Sequence, residues 1–441
     1  MNQKPEVGTL QHKLSYIHGI RTLAMVWVVV GHNAAYMQDS ILMIFSHIAR
    51  HPLDFSRLVN KSLWSNLLNN AYHAVETFFF LSGFLLISVL MNKKILKKTT
   101  FKLFWGLRYI RFAIPLLGAI VIHKCISMLG NSPFNSPEIF NTTYRGCDDK
   151  HWWKQLFFYN NLIHPSDSCI YFAWYLCADL QIHLIAFLLV IALRKQLYTN
   201  FYLICLFFGS LTIIIPAILI HFGIPTFEAV DFFIDFSADI SIAAQIFLYA
   251  APWIHMAAFF YGCTIGLAFI KQKKCFISTS KLWWNLSLMV LIITALMSVP
   301  SLKILYNSHL LRAGIIALIY GSWVIALSII IYQMSADHYP KHTTFVRNLL
   351  SCFILRIISR LSFCMYLTQL TISHINFVLN DDLLRANQAQ VVSFTILFFH
   401  ISLYELITFH IIHIGSFYIC NIISNNNAKL GVICFIRMSN Q

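Results

Sequence analysis

An arginine and a histidine, Arg21 and His32, share one apolar segment of the chain. If the segment is a helix, the eleven-residue step between them returns almost to the same face. The two side chains then lie roughly 16 Å apart along the helix axis. Both residue types are costly in hydrocarbon, so an apolar helix that contains both turns them toward a protein interior or a wet cavity. The pair therefore indicates a functional site.

The composition predicts a membrane protein. Of the 441 residues, 58% are hydrophobic and 11% are charged, and the mean hydropathy is +0.67. Soluble domains do not have this composition. The formal net charge of +15 would favour nucleic-acid binding in a soluble chain, but in a membrane protein it is first compared with the distribution of Lys and Arg between loops.

Apolar runs of spanning length predict an all-α polytopic membrane protein, with about ten transmembrane helices in one bundle. The runs lie near residues 20–37, 74–91, 107–129, 174–193, 201–221, 251–270, 283–299, 312–334, 350–373 and 392–414.

Most of the 32 Lys and Arg residues lie in segments that are cytoplasmic if the N-terminus is inside. This excess predicts a cytoplasmic N-terminal segment, 1–18, a transmembrane domain, 19–414, and a cytoplasmic C-terminal tail, 415–441. The same excess explains the net positive charge, so nucleic-acid binding is not needed to account for it. We expect the protein in the endoplasmic reticulum or the plasma membrane.

Two sequons agree with this orientation. Asn60 is followed by Lys61-Ser62, and Asn141 is followed by Thr142-Thr143. Both lie in loops that are predicted to be lumenal or extracellular, where glycosylation of asparagine takes place. Sequons also arise by chance, so the support is modest.

Two of the eleven cysteines, Cys147 and Cys169, lie in the long loop between the third and fourth predicted spans. This loop is on the side where an oxidising compartment permits a disulfide. Closing a loop of this size would contribute roughly 3 kcal/mol to stability. The cysteines show no zinc-type spacing, so we expect no metal.

Several short motifs occur in order along nearly the whole chain. They are Gly19-Ile20-Arg21 to Gly31-His32, Val75-Glu76-Thr77-Phe78-Phe79-Phe80-Leu81-Ser82-Gly83-Phe84, Arg108-Tyr109-Ile110-Arg111, Cys147, Trp152-Trp153, Tyr159-Asn160-Asn161, Cys169, and Trp174-Tyr175-Leu176 with Asp179 and Gln181. Each is short, but together they are specific. The sequence resembles the acyltransferase 3 family of membrane proteins and, within it, the nose-resistant-to-fluoxetine group.

The resemblance implies acyl transfer from a cytoplasmic acyl-CoA to a hydroxyl-bearing acceptor such as a lipid, a sterol or a sugar. His32 is then the residue that removes the proton from the acceptor hydroxyl as its oxygen attacks the thioester carbonyl. The alternative is that His32 only makes a buried hydrogen bond.

Glu76 lies near the start of the second predicted span, at a depth that we expect to be similar to that of His32. Its carboxylate is therefore expected to orient the imidazole and to stabilise the imidazolium. The alternative is a structural ion pair with an arginine or a lysine. The family usually has aspartate at this position.

Arg108 and Arg111 are three residues apart at the cytoplasmic start of the third span, so they lie on nearly the same face. Such a pair can bind the phosphates of coenzyme A through bidentate hydrogen bonds. Alternatively, both are positive-inside anchors. Arg21 is expected to neutralise the donor or to polarise its carbonyl.

Tyr175, Asp179 and Gln181 are further polar candidates, because they belong to the fourth-span motif. A carboxylate at the depth of Asp179 needs a partner in any account of the protein. Its role cannot be assigned from the sequence.

The chain departs from the family pattern at three positions. Gln369 replaces a histidine that is common in the ninth span, Glu405 is not followed by the usual proline pattern, and His255 replaces a common arginine. These departures keep two other functions open. One is a transporter or lipid-moving protein, and the other is a catalytically silent membrane scaffold.

Overall fold

A computed structural model describes residues 13–48, 66–68, 70–90, 101–126, 145–147, 151–164, 167–192, 203–204, 207–211, 214–215, 218, 249–271, 280–297, 309–335 and 340–379. Side chains are described through His32 in the first helix and through Gln369 in the last. The described part of the chain is helical and contains no strand. Its helices are α1 (Tyr16–Ile48), α2 (Tyr72–Leu90), α3 (Phe101–Ile126), α4 (Trp174–Ala192), α5 (Pro252–Lys271), α6 (Lys281–Leu296), α7 (His309–Ser335), α8 (Thr344–Leu350) and α9 (Phe353–Leu379).

The prediction of an all-α protein is confirmed. In the described ranges, four helical segments are long and apolar enough to cross a membrane, and a fifth is added if the bent pair Lys341–Leu350 and Phe353–Gln369 forms one span. The four are Asn66–Ser88, Tyr171–Ala192, Pro252–Ile270 and Leu318–Ser335. Helices are favoured in lipid because they satisfy every backbone polar group within the segment.

Most of the predicted spans overlap a described helix. The exceptions are the fifth span, 201–221, which lies largely outside the described residues, and the tenth, 392–414, which lies wholly outside them. The sequons at Asn60 and Asn141 and the tail 415–441 also lie outside the described part.

The most extensive helix contact is between α2 and α5, at the centre of the bundle. A Cβ atom added to Gly83 would lie 2.0 Å from the Phe259 carbonyl oxygen, and one added to Gly262 would lie 2.0 Å from the Phe80 carbonyl oxygen. Neither glycine can carry a side chain without a shift of the backbone. Small residues thus allow the two helices to approach closely, as is common in membrane proteins.

Helix α1 packs against α2 with a definite register. A Cβ atom on Gly31 would lie 2.5 Å from the Cβ atom of Ala71, and Trp27 donates its indole N–H to the Leu67 carbonyl oxygen at 2.6 Å. On this antiparallel register, Glu76 lies opposite Val26. Ser82, six residues farther along α2, lies beside Arg21.

Helices α8 and α9 meet at a bend of 58°. The bend places the start of α9 against the first turns of α1, because Ser15 donates to the Ser351 hydroxyl at 2.9 Å and Thr22 donates to the Leu355 carbonyl oxygen at 2.8 Å. Gly19 makes this contact possible, since a Cβ atom there would lie 2.3 Å from the Leu350 carbonyl oxygen.

The described residues of the loop before α4 include the short 3-10 helices Arg145–Cys147, Trp152–Phe157, Asn160–Leu162 and Tyr171–Ala173. Cys147 and Cys169 are joined by a disulfide, and both are buried together with Phe112 of α3 and Leu367 of α9. The loop is therefore packed into the side of the bundle.

Gln181 holds this loop in place. Its side-chain amide donates to the Phe158 carbonyl oxygen at 3.1 Å and to the Asn161 side-chain oxygen at 3.0 Å, and it accepts a hydrogen bond from Asn161 at 2.9 Å. Phe158 adopts the left-handed conformation with φ of 55°, so the carbonyl that Gln181 binds belongs to a tight reversal of the chain. The polar side chain of Gln181 thus has a structural role.

Candidate active site

A buried ion pair joins α3 to α4. Arg108 donates through Nη2 to Asp179 Oδ2, and the Ser82 hydroxyl donates to Asp179 Oδ1 at 2.7 Å. One helical turn after Asp179, the His183 ring nitrogen Nδ1 donates to the Asp179 carbonyl oxygen at 2.7 Å. Arg108 is thus the partner that the sequence required for a carboxylate at this depth.

Arg21 belongs to the same level of the bundle. Its guanidinium interacts electrostatically with Tyr175, Asp179 and Arg108, and Tyr175 also interacts with Arg111. We call Arg21, Arg108 and Arg111 the arginine layer. The structure therefore brings together, from three helices, five of the side chains that the sequence had singled out.

The two α3 arginines have different surroundings. Arg108 is half-buried, bound to Asp179, and its guanidinium lies 5.0 Å from the centre of the Phe112 ring. Arg111 is exposed. Arg108 is thus already paired with a carboxylate, whereas Arg111 is not buried, and the role of the two as phosphate ligands stays a prediction.

Glu76 is paired with His255 rather than with His32. The Glu76 carboxylate lies 2.6 Å from His255 Nδ1, and His255 Nε2 donates to the Tyr249 carbonyl oxygen at 2.7 Å. The physical reason is the helix register, which puts Glu76 about six residues deeper than His32, or roughly 9 Å. The contact gives Glu76 a structural partner, but this partner is a histidine rather than the arginine or lysine of the alternative interpretation.

The Glu76–His255 pair is enclosed by aromatic rings. The imidazole of His255 stacks on Phe79 with ring centres 4.4 Å apart and on Trp174 with centres 5.3 Å apart. Burial, and then the nearby Glu76 carboxylate, raise the pKa of the Tyr249 phenol, which lies just before α5. The pair is buried, with 3% of each side chain exposed, and it joins α2 to α5.

His32 is close to Gln369 of α9. The Gln369 side chain interacts with the imidazole, and the ring nitrogen Nδ1 of His32 is buried and has no hydrogen-bond partner among the described residues. A buried imidazole with an unbonded ring nitrogen, beside an amide side chain, is an arrangement that suits a general base.

Comparison with known proteins identifies the family. Residues 14–409 match the family model that is described as the acyltransferase domain of the acyltransferase 3 family. The chain belongs to the acyltransferase 3 family. The resemblance that the ordered motifs predicted is thus confirmed.

This acyltransferase 3 protein is similar to nose resistant to fluoxetine protein 6 of Caenorhabditis elegans. The two are 29% identical over 202 residues, which is 42% of this chain and 23% of that protein. The chain thus aligns with about a quarter of that relative. No solved structure matches the chain.

Two departures from the acyltransferase 3 pattern meet in space. These are Glu76 and His255, which contact each other across α2 and α5. The contact between Asp179 and His183 could be predicted from the sequence, because residues four apart lie on one face of a helix. No sequence signal connects Glu76 with His255 or His32 with Gln369.

Proposed function

We propose that this protein is an integral-membrane O-acyltransferase. It would move an acyl group from a cytoplasmic acyl-CoA to a hydroxyl-bearing acceptor, such as a membrane lipid, a sterol or a sugar. The observation that carries the proposal is that an acyltransferase 3 chain has His32 and Arg21 on one helix, with His32 Nδ1 buried and available and Arg21 inside the arginine layer.

His32 is the proposed general base. Its neutral imidazole accepts the proton of the acceptor hydroxyl while the hydroxyl oxygen forms a bond to the thioester carbonyl carbon. Collapse of the tetrahedral intermediate breaks the carbon–sulfur bond, and the imidazolium returns the proton to the leaving thiolate. Gln369 is the residue that would hold the ring during both proton transfers.

The arginine layer is the proposed binding region for the donor. Coenzyme A carries several phosphates at one end and its thioester at the end of the long pantetheine arm. Phosphates held near Arg21 and Arg111 would leave this arm to extend along α1 toward His32, which lies roughly 16 Å farther along the helix. Such a separation suits an extended arm.

The proposed topology has about ten spans, with the N- and C-termini in the cytoplasm and the protein in the endoplasmic reticulum or plasma membrane. Helices α1 and α9 pack in parallel, and their first turns meet at Ser15 and Ser351, so both helices begin on the same side of the membrane. This packing supports the proposed topology. The excess of Lys and Arg in the predicted cytoplasmic loops supplies the orientation.

The test is acyl transfer by the purified protein in lipid vesicles. Acetyl-CoA and palmitoyl-CoA, labelled in the acyl group, are supplied outside, and the label is followed into lipid, sterol and added sugar. We expect a labelled ester and an equal amount of released coenzyme A thiol. Absence of both products with every donor and acceptor would overturn the proposal.

The alternative is transport or lipid movement, which is favoured by polar groups at several depths of an otherwise apolar bundle. Arg108, Glu76 and His32 lie at successive levels of the helices. A transporter would accumulate the labelled molecule inside the vesicles with its thioester intact and without release of thiol. The same experiment therefore separates the two functions.

A further inference from the structure

Helix α9 carries two more arginines beside its contact with α1, and of these Arg356 is partly buried and Arg360 is exposed. Arg356 and Arg360 are four residues apart in the first turns of α9, so their side chains share a face. Ser359 lies on this face and contacts α1, because its hydroxyl is 3.1 Å from His18 Nδ1. The two arginines therefore flank the contact between α1 and α9.

The charges of three arginines converge on His18, which precedes the predicted span 20–37. Burial, and then the charges of Arg21, Arg360 and Arg356, lower the pKa of His18 to about 4. The imidazole is therefore neutral at physiological pH and adds no charge of its own. Arg21, which acts on His18 together with the α9 arginine pair, also belongs to the arginine layer.

Among the described side chains, carboxylates do not balance these charges. The described residues whose side chains are placed include three carboxylates, Glu76, Asp167 and Asp179. Glu76 is bound to His255, Asp179 is bound to Arg108, and Asp167 is exposed in the loop before α4. Nothing in this set is bound to Arg356 or Arg360.

The guanidinium of Arg356 is also incompletely bonded. Its Nε is buried and makes no hydrogen bond with the described part of the chain. A buried cationic donor without a partner is costly, so it is normally retained for a ligand that supplies the missing acceptor.

We propose that Arg356 and Arg360 form the α9 half of a phosphate-binding site, whose other half is Arg21 on α1, and that it binds a phosphate of the acyl-CoA. The inference deepens the proposed function and rests on it. Phosphate suits these residues because it offers several acceptor oxygens to guanidinium forks. The N-terminus of α9 adds a favourable dipole at the same place.

A lipid headgroup could supply the same phosphate chemistry. The apolar side chains next to the pair, Phe353, Ile354 and Ile357, are exposed and face outward from the bundle. The experiment must therefore distinguish coenzyme A from an anionic lipid.

The test variant is the double substitution R356Q/R360Q, and the matched control is K281Q/K341Q, which removes two exposed positive charges. Both are reconstituted in neutral phosphatidylcholine vesicles, and their unfolding temperatures are compared with that of the wild type. Binding of labelled coenzyme A, and transfer from acetyl-CoA, acetyl-dephospho-CoA and acetyl-pantetheine, are then measured.

For R356Q/R360Q we expect the KM for acetyl-CoA and the dissociation constant of coenzyme A to rise about tenfold or more, since a hydrogen bond to a charged group contributes 1.5–3 kcal/mol. The KM for acetyl-pantetheine, which has no phosphate, should not change, and neither should kcat. The control variant should behave as the wild type in every assay.

Unchanged binding of coenzyme A by R356Q/R360Q would overturn the inference. So would loss of binding to phosphatidylglycerol vesicles with coenzyme A binding intact, which would identify a lipid site instead. If the wild type binds coenzyme A and the variant does not, but neither transfers an acyl group, the site stands and the proposed enzyme activity fails. Absence of coenzyme A binding by the wild type would overturn both.

Discussion

Single residues define the proposed chemistry. His32 and Arg21 could be selected from the sequence because an ionisable side chain in an apolar helix is unusual. Their partners could not be selected in the same way. Glu76 and His255 are 179 residues apart in the chain, and their contact follows from the close packing of α2 against α5. Residue types therefore singled out these side chains as candidates but could not predict which of them pair.

Gln369 is a positioning residue for His32 in this account. Substitution of Gln369 by alanine removes the amide that lies beside the imidazole and, in this proposal, orients it, so kcat should fall by about tenfold to a hundredfold while the KM for acyl-CoA stays the same. Steady-state kinetics with a saturating acceptor measure both constants.

The control for this prediction is Thr368→Ala, whose hydroxyl is bonded within its own helix to the Cys364 carbonyl oxygen at 3.1 Å. It should leave kcat unchanged. A normal kcat in Gln369→Ala would contradict the role of Gln369, whereas an equal loss in both variants would indicate a general disturbance of α9.

The Arg108–Asp179 pair should be energetically coupled. Replacing either residue alone, as Arg108→Gln or Asp179→Asn, leaves a buried charge without its partner and should cost about 3–5 kcal/mol of stability. The double variant should lose clearly less than the sum of the two single losses. Thermal or denaturant unfolding of the four proteins in detergent gives the coupling, and additive losses would show that the contact is not a strong one.

At the scale of elements, hydropathy predicted the helices well. Segments near 74–91, 174–193 and 251–270 correspond closely to α2, α4 and α5, because apolar length is what a membrane selects. Other features have no such signal. The bend between α8 and α9 and the packing of the 3-10 loop into the bundle depend on tertiary contacts, so the hydropathy pattern could not reveal them.

The close approach of α2 and α5 predicts that glycines differ in how much stability is lost when they are replaced by alanine. Gly83→Ala should destabilise the protein by about 1–3 kcal/mol, because the added methyl group would overlap the Phe259 carbonyl oxygen. Gly106→Ala in α3 has open space and should be neutral or stabilising by up to about 1 kcal/mol. Unfolding temperatures in one detergent compare the two, and equal effects would argue against this packing.

The loop before α4 should depend on its disulfide. Cys147→Ser removes the link to Cys169 across 22 residues and should lower stability by roughly 3 kcal/mol. Reductant should lower the unfolding temperature of the wild type but not that of Cys147→Ser. The control Cys352→Ser, at a partly buried free cysteine, should respond to reductant as the wild type does. A wild type that is insensitive to reductant would refute this prediction.

At the scale of the whole molecule, the polar groups form three levels along α1 and α2. The arginine layer with Asp179 is one, the Glu76–His255 pair is next, and His32 with Gln369 is last. Measured along α1 from the α1–α2 register, neighbouring levels are separated by roughly 9 Å or less. This arrangement places the proposed phosphate end of the donor and the proposed base at separate depths, as transfer from one side of a membrane toward the other requires.

The most direct test of the central claim is acyl transfer by His32→Ala, compared with the wild type and with His164→Ala, a substitution of an exposed loop histidine. The three proteins are reconstituted at equal amounts and checked for equal unfolding temperatures. We predict that labelled ester and released thiol are lost in His32→Ala and are retained in His164→Ala. Equal product from His32→Ala and the wild type would contradict the account.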